Sequence, residues 1–252
     1  MKRYFLEVSY QGSAFHGSQI QNDLPTVQGA LNDALSILLK RSVETFGASR
    51  TDEGVHAYGN MYHIDMEEDL WPNFQYQMNA LLPAELALNA IYRAKNLEVN
   101  ARFDALNRSY TYKIYKKKNP FLKEAAYYYP YELDFGILHD TAKILMEYED
   151  FESFAKRKSQ TYTHICHLYQ SEWKDNGDTI TYHVTGSRFL RGMVRALVGT
   201  QLRIGRGKGD LASFRQIIEA KNCQLADFSV PGHGLYLGKI SYPEGSLEPL
   251  FF

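Results

Sequence analysis

The sequence predicts an α+β protein made of two halves of related element order, and three observations carry that expectation. Hydrophobic periodicity in the first hundred residues switches between strand-like and helix-like spacing in the order β-α-β-β-α-β. A similar order recurs after residue 107. The composition, with 44% hydrophobic and 23% charged residues over 252 positions, is that of a globular chain able to bury a core without staples. This element order is the ferredoxin-like (RRM-like) one. The expected architecture is two such halves, 1–103 and 104–252, forming a largely antiparallel central sheet with helices. No sequence repeat backs the pseudo-symmetry, which rests on element order alone.

The elements follow in order. Lys2–Tyr10 alternates as a strand does, and Gln11-Gly12-Ser13 turns it. Thr26 suits the N-cap of a helix in which Val27, Ala30, Leu31, Ala34, Leu35, Leu38 and Leu39 recur at three- and four-residue steps. Strands are expected over 43–48 and 57–66, with a polar loop between them. Pro72 opens a second helix to about Leu81, stopped by Pro83, and Leu86–Ala94 is the next strand. In the second half, strands are expected over 107–117, 161–173, 178–187 and 235–242. Helices are expected near 135–147 (capped by Asp134), 188–204 and 211–221.

Two cysteines, Cys166 and Cys223, make no disulfide framework, which points to a reducing, cytoplasmic setting. The opening Met1–Val8 is too short and too quickly charged for a signal peptide, and no apolar run approaches the length of a membrane helix, so no membrane association is expected. A net charge of −1 does not announce a polyanion binder, but the charge is unevenly spread. Arg188–Lys208 holds six basic residues and no acidic one. Nineteen tyrosines suit stacking on RNA and equally suit a sheet-rich core.

The most chemically suggestive stretch is Ser49-Arg50-Thr51-Asp52-Glu53-Gly54-Val55-His56, one carboxylate with an arginine two residues earlier on a loop flanked by strands. By itself, Asp-Glu-Gly is also ordinary turn chemistry, with Gly54 free to take positive φ. Arg50–Ala57 resembles the R-T-D-x-G-V-H-A signature of the tRNA pseudouridine synthase A family. Tyr10–Gln19 is similar to that family's Y-D-G-x-x-F-x-G-W-Q, with Gln11 for the aspartate and Ser18 for the tryptophan. Those two departures raise the question of a changed RNA target and, at Ser18, of an altered surface loop. The resemblance implies that Asp52 is catalytic, that Arg50 supports it, and that His56 braces the loop.

Further matches cover most of the chain. Ala101–Ala105 with Arg108–Tyr112 resembles A-R-F-x-A…R-x-Y-x-Y, which implies that Tyr110 packs against the target base; alternating Tyr110, Tyr112 and Ile114 is also what a half-buried strand looks like. Phe189–Gly199 resembles F-x-x-x-M-V-R-x-x-V-G, whose arginine, here Arg195, pairs with the catalytic aspartate in the family. Arg188, Arg191 and Arg195 at i, i+3 and i+7 also form one basic helical stripe, with Arg195 inward and the others toward phosphate. Arg203, Arg206 and Lys208 extend the candidate RNA-binding set. Gly205–Gly209 lacks the ending of a nucleotide-binding loop. Pro231–Leu237 resembles the closing P-x-x-G-L-x-L, which implies that Leu235 lines the uracil pocket. His164, Cys166 and His167 lie close in sequence but lack a second pair at metal-site spacing, and strand residues on alternating faces explain them better.

The resemblance therefore implies an enzyme that converts uridine to pseudouridine in the anticodon stem–loop of tRNA. It would need no cofactor and no metal, act as a homodimer, and hold its catalytic cleft between the halves. A non-catalytic RNA-binding protein of the same fold is the competing class, and a plain ferredoxin-like interaction domain would leave the motifs unexplained.

Overall fold

The computed structural model describes residues 1–157 and 161–251. Their mixed α+β architecture divides into two compact units, Met1–Asn107 with Leu237–Phe252, and Arg108–Tyr236.

The first unit opens with β1 (Lys2–Tyr10), then α1 (Val27–Leu39), β2 (Phe46–Gly47), β3 (His56–Met66), α2 (Phe74–Leu81) and β4 (Leu86–Ala94). β1 lies between β3 and β4 and pairs antiparallel with both, while β2 pairs antiparallel with β3. α1 begins as its sequence predicts: the Thr26 hydroxyl accepts the Gly29 N–H at 3.2 Å, and Val27, Leu31, Ala34 and Leu35 are buried. The expected strand over 43–48 shrinks to two residues. Around it, side chains take over the backbone bonding: the Ser36 hydroxyl accepts Val43 N–H, and Asn32 Oδ1 accepts both the backbone and the hydroxyl of Thr45. α2 starts two residues after Pro72, behind a left-handed Asn73 at φ 71°.

The second unit carries β5 (Asn107–Tyr115), β6 (Tyr127–Tyr128), α3 (Phe135–Leu145), β7 (Leu168–Asp175), β8 (Ile180–Gly186), α4 (Met193–Gly205) and α5 (Leu211–Glu219). β8 pairs antiparallel with β5 and β7, and β6 adds a short parallel pairing to β5. Asp134 caps α3 through Ile137 N–H at 3.0 Å. Two expectations are corrected here. Of the strand expected over 161–173, only Leu168 onward is strand; before it a single antiparallel bridge joins Ile165 to Asp150, and residues 158–160 lie outside the described part. The helix expected from 188 starts only at Met193, because Gly192 at φ 73° stands at its N-cap in a left-handed conformation that interrupts helical geometry.

β9 (Leu235–Ser241) leads back into the first unit, where β10 (Leu247–Leu250) pairs antiparallel with β4. The final residues thus pack with the first unit, whereas the sequence groups them with the second half. Among the described residues no helix is long and apolar enough to cross a membrane.

Candidate active site

Asp52 sits on the turn between β2 and β3, half-buried, with Arg50 exposed before it and Thr51, Val55 and His56 buried around it. The turn closes on itself through Val55 N–H to the Asp52 carbonyl at 3.2 Å, with Gly54 at φ 78°, the conformation its sequence predicts. The segment after β1 holds the loop from outside. The Ser18 hydroxyl accepts Thr51 N–H at 2.8 Å, and Ser18 N–H donates to the Thr51 carbonyl at 3.0 Å. Gly17, at φ 87°, lets the chains come this close; a Cβ there would stand 3.0 Å from that carbonyl oxygen. Gly12 packs directly under Val55, and its N–H donates to His56 Nδ1 at 3.2 Å. His56 thus braces the loop.

Ser18 is not on a surface loop. It is 2% exposed, and its hydroxyl meets a buried backbone donor of the Asp52 loop. A second buried side chain, Asn60 on β3, reaches the same loop from below. Its Nδ2 lies 3.1 Å from the Ser49 carbonyl and 3.2 Å from the Tyr10 hydroxyl, which is itself 2.9 Å from Thr51 Oγ1. Residues 49 and 51 are therefore both tied down, one step either side of Arg50 and immediately before Asp52. Neither Ser18 nor Asn60 has a periodicity signal. The place of Ser18 within the Tyr10–Gln19 motif is the one cue the sequence offers to either.

In the second unit, Tyr110 lies on β5 opposite Val184, half-buried, with its ring edge-on to Phe189 at 5.2 Å and 83°. Arg108 Nη1 donates to the Ser187 carbonyl at 3.1 Å. Arg195, on the first turn of α4, is half-buried; its Nε donates to the Val230 carbonyl at 2.8 Å and its Nη2 to that of Phe228 at 3.5 Å. That same segment continues through Pro231, whose carbonyl accepts the Tyr112 hydroxyl at 2.8 Å, into the buried Leu235. A Cβ on Gly234 would fall 2.6 Å from the Tyr112 ring, so the turn before Leu235 requires glycine for space. Burial pushes the Tyr112 phenol upward, which keeps this donor protonated. Arg195 and Leu235 are thus joined through one segment, 228–235.

The basic residues separate. Arg188 and Arg191 are exposed but precede α4, so the helical stripe with Arg195 is corrected: Gly192 breaks it. Arg188 Nη2 donates to the Thr161 hydroxyl at 3.0 Å. Arg203 Nη2 donates to the Leu225 carbonyl at 2.9 Å, and Arg206 lies over the Tyr131 ring at 3.4 Å, while Lys208 is exposed. Among the described residues, the potential metal ligands that gather round His164 are acidic side chains. One ligand atom each from Asp150, Glu152 and His164 lies within 4.8 Å of the others, but Lys221 Nζ stands 2.7 Å from Asp150 and supplies positive charge there already. Cys166 is fully buried and burial pushes its thiol up to about 11, the opposite of a metal-binding thiolate.

A family profile described as tRNA pseudouridine synthase matches residues 143–243, which include Arg195 and Leu235. A protein of Parabacteroides distasonis named tRNA pseudouridine synthase A is 42% identical over 246 residues, 97% of either chain. The protein of that name from Bacteroides thetaiotaomicron is 41% identical over 248 residues, 97% of this chain and 92% of its own. The one from Bacillus subtilis is 35% identical over 243 residues, 93% and 97% of the two chains. These similarities run well beyond the profile and take in most of the first unit.

Proposed function

The chain belongs to the tRNA pseudouridine synthase A family, and from that premise we propose that Asp52 is the catalytic residue of an isomerase that turns uridine into pseudouridine in the anticodon stem–loop of tRNA. The observation that carries this reading is a half-buried carboxylate on a turn whose preceding residues are held by buried side chains. A reacting group needs such support to hold its geometry.

The reaction breaks the bond from N1 of uracil to C1′ of ribose, rotates the base and joins C5 to C1′. C5 loses a proton and N1 gains one, so no oxidant, reductant or group donor enters the balance. The target base must leave its stack to be reached. A carboxylate serves either by attacking covalently or by stabilising an oxocarbenium-like sugar, and both roles need it ionised and aimed. Arg195 is the candidate to orient it, with a guanidinium already steadied by two carbonyls. Tyr110, edge-on to Phe189, offers a ring against the base, and Leu235 an apolar wall that keeps water from the sugar. Arg50 supports Asp52 from the same loop, and Arg188, Arg191, Arg203, Arg206 and Lys208 are the candidate phosphate contacts.

The two units read as ferredoxin-like halves; the strand order β4-β1-β3-β2 in the first supports this. A homodimer working in the cytoplasm, where its tRNA is, completes the reading. Asp52→Asn tests its centre. Pseudouridine measured by mass spectrometry should vanish, while tRNA binding by gel shift and the melting temperature stay near wild type. Turnover close to wild type would remove Asp52 from the chemistry and favour a protein that only binds RNA.

A further inference from the structure

Asn60 belongs to none of the motif positions discussed above, yet it is completely buried on β3. A buried carboxamide has to satisfy its donors. Its Nδ2 faces three acceptors: the Ser49 carbonyl at 3.1 Å, the Tyr10 hydroxyl at 3.2 Å and the Tyr62 hydroxyl at 3.4 Å. Two amide hydrogens shared among three oxygens make all three accept. The Tyr10 hydroxyl that accepts from Asn60 also lies 2.9 Å from Thr51 Oγ1, in a bond for which either oxygen can supply the hydrogen. Hydrogen bonds thus link Asn60 through Tyr10 to Thr51, the residue joined to Asp52. A second arm runs from Asn60 to the carbonyl of Ser49. Tyr62 stays protonated because burial pushes its phenol well upward, so the cluster carries no charge to attract water.

We propose that Asn60 is a positioning residue for the uridine isomerisation, holding the Asp52 loop at residues 49 and 51 through its side-chain amide and the Tyr10 hydroxyl. This rests on the reading of Asp52 as the catalytic group. The physical argument is one of connection and burial. Tyr10, Thr51, Ser49 and Asn60 are each under 10% exposed, so water cannot replace a lost partner in place. A Ser49 carbonyl left with only the long 3.5 Å bond from the Ser18 hydroxyl, or a Thr51 hydroxyl without Tyr10, is then relieved by movement of the loop itself. A displacement of about 1 Å at a reacting group can cost about 100-fold in rate.

The test compares Asn60→Ala, Asn60→Ser and Tyr10→Phe with wild type, using unmodified tRNA transcript, at a temperature well below the melting point of each variant. Tyr10→Phe deletes one oxygen and keeps the ring, so it serves even where an Asn60 variant fails to fold. The expected result is a fall in kcat of about 10- to 100-fold with KM for tRNA within about twofold of wild type. Asn60→Ser, which retains a donor, should lie between Asn60→Ala and wild type. The double variant Tyr10→Phe with Asn60→Ser should fall short of the product of the single effects, because both act through one chain of hydrogen bonds. Folded variants with unchanged kcat, or with the whole loss in KM, would overturn the proposal. Asp52→Asn assayed alongside separates the two ideas: if it stays active, the reading of the catalytic group fails whatever Asn60 does.

Discussion

Replacing Gly12 by alanine puts a methyl group into the backbone that follows Asp52. The new Cβ would lie 2.0 Å from the Val55 carbonyl oxygen, 2.3 Å from its carbon and 2.7 Å from its nitrogen. Ordinary contact begins at 3.4 Å, so the oxygen alone must retreat by about 1.4 Å. No side chain can absorb this, since all three atoms are main chain. The move also strains the Gly12 N–H to His56 Nδ1 bond at 3.2 Å and the Val55 N–H to Asp52 carbonyl bond at 3.2 Å. Overpacking of this kind costs about 1–3 kcal/mol of stability. Because the displaced segment begins three residues from Asp52, the larger effect should be on rate, about 100-fold or more in kcat. Chemical denaturation measures the first quantity, and pseudouridine formation at saturating tRNA measures the second. An alanine variant with wild-type stability and wild-type kcat would refute the claim that Gly12 is chosen for space beneath the Asp52 loop.

Arg191→Ala should weaken tRNA binding for every sequence tried and flatten the plot of log affinity against log salt by about one unit or less, with turnover restored at saturation; unchanged salt dependence would make Arg191 a merely solvated residue. Arg195→Ala should do the reverse, losing turnover that saturating tRNA does not restore. A pH effect on stability follows from His63, which is 2% exposed, accepts Ala101 N–H at 3.2 Å and stacks on Phe46 at 5.1 Å. Burial, aided by the charge of Arg3, lowers its imidazole from 6.5 to about 4. The unfolded chain therefore binds the proton more readily, so this contribution is complete above pH 6.5 and is lost as pH falls toward 4, by at most about 3 kcal/mol. Urea unfolding at neutral and at mildly acidic pH should show that loss in wild type and less of it in His63→Gln; equal losses in both would refute the assignment.

What the sequence determined by itself was local. α1 and its Thr26 cap, β1, β4 and the turn at Gly54 follow from periodicity and from side chains acting within a few residues, and they stand where those signals predict. The carboxylate on a turn was legible for the same reason. The tertiary structure decided everything that depends on a distant partner. The strand expected over 43–48 loses its opening because Ser36 and Asn32 of α1 take the backbone donors of Val43 and Thr45, which no short window around residue 43 contains. Arg188 and Arg191 keep helical spacing to Arg195, yet one left-handed glycine removes them from the helix. The motif departure at Ser18 suggests an altered surface loop, whereas its hydroxyl is buried and accepts the Thr51 N–H, 33 residues on. Asn60 is one polar residue in a strand until Tyr10, 50 residues earlier, turns its amide toward the Asp52 loop. Spacing along the chain reveals which residues share a face of one element. Which buried donor meets which acceptor is set only when separate elements pack and water is excluded, and the support of Asp52 is of that second kind.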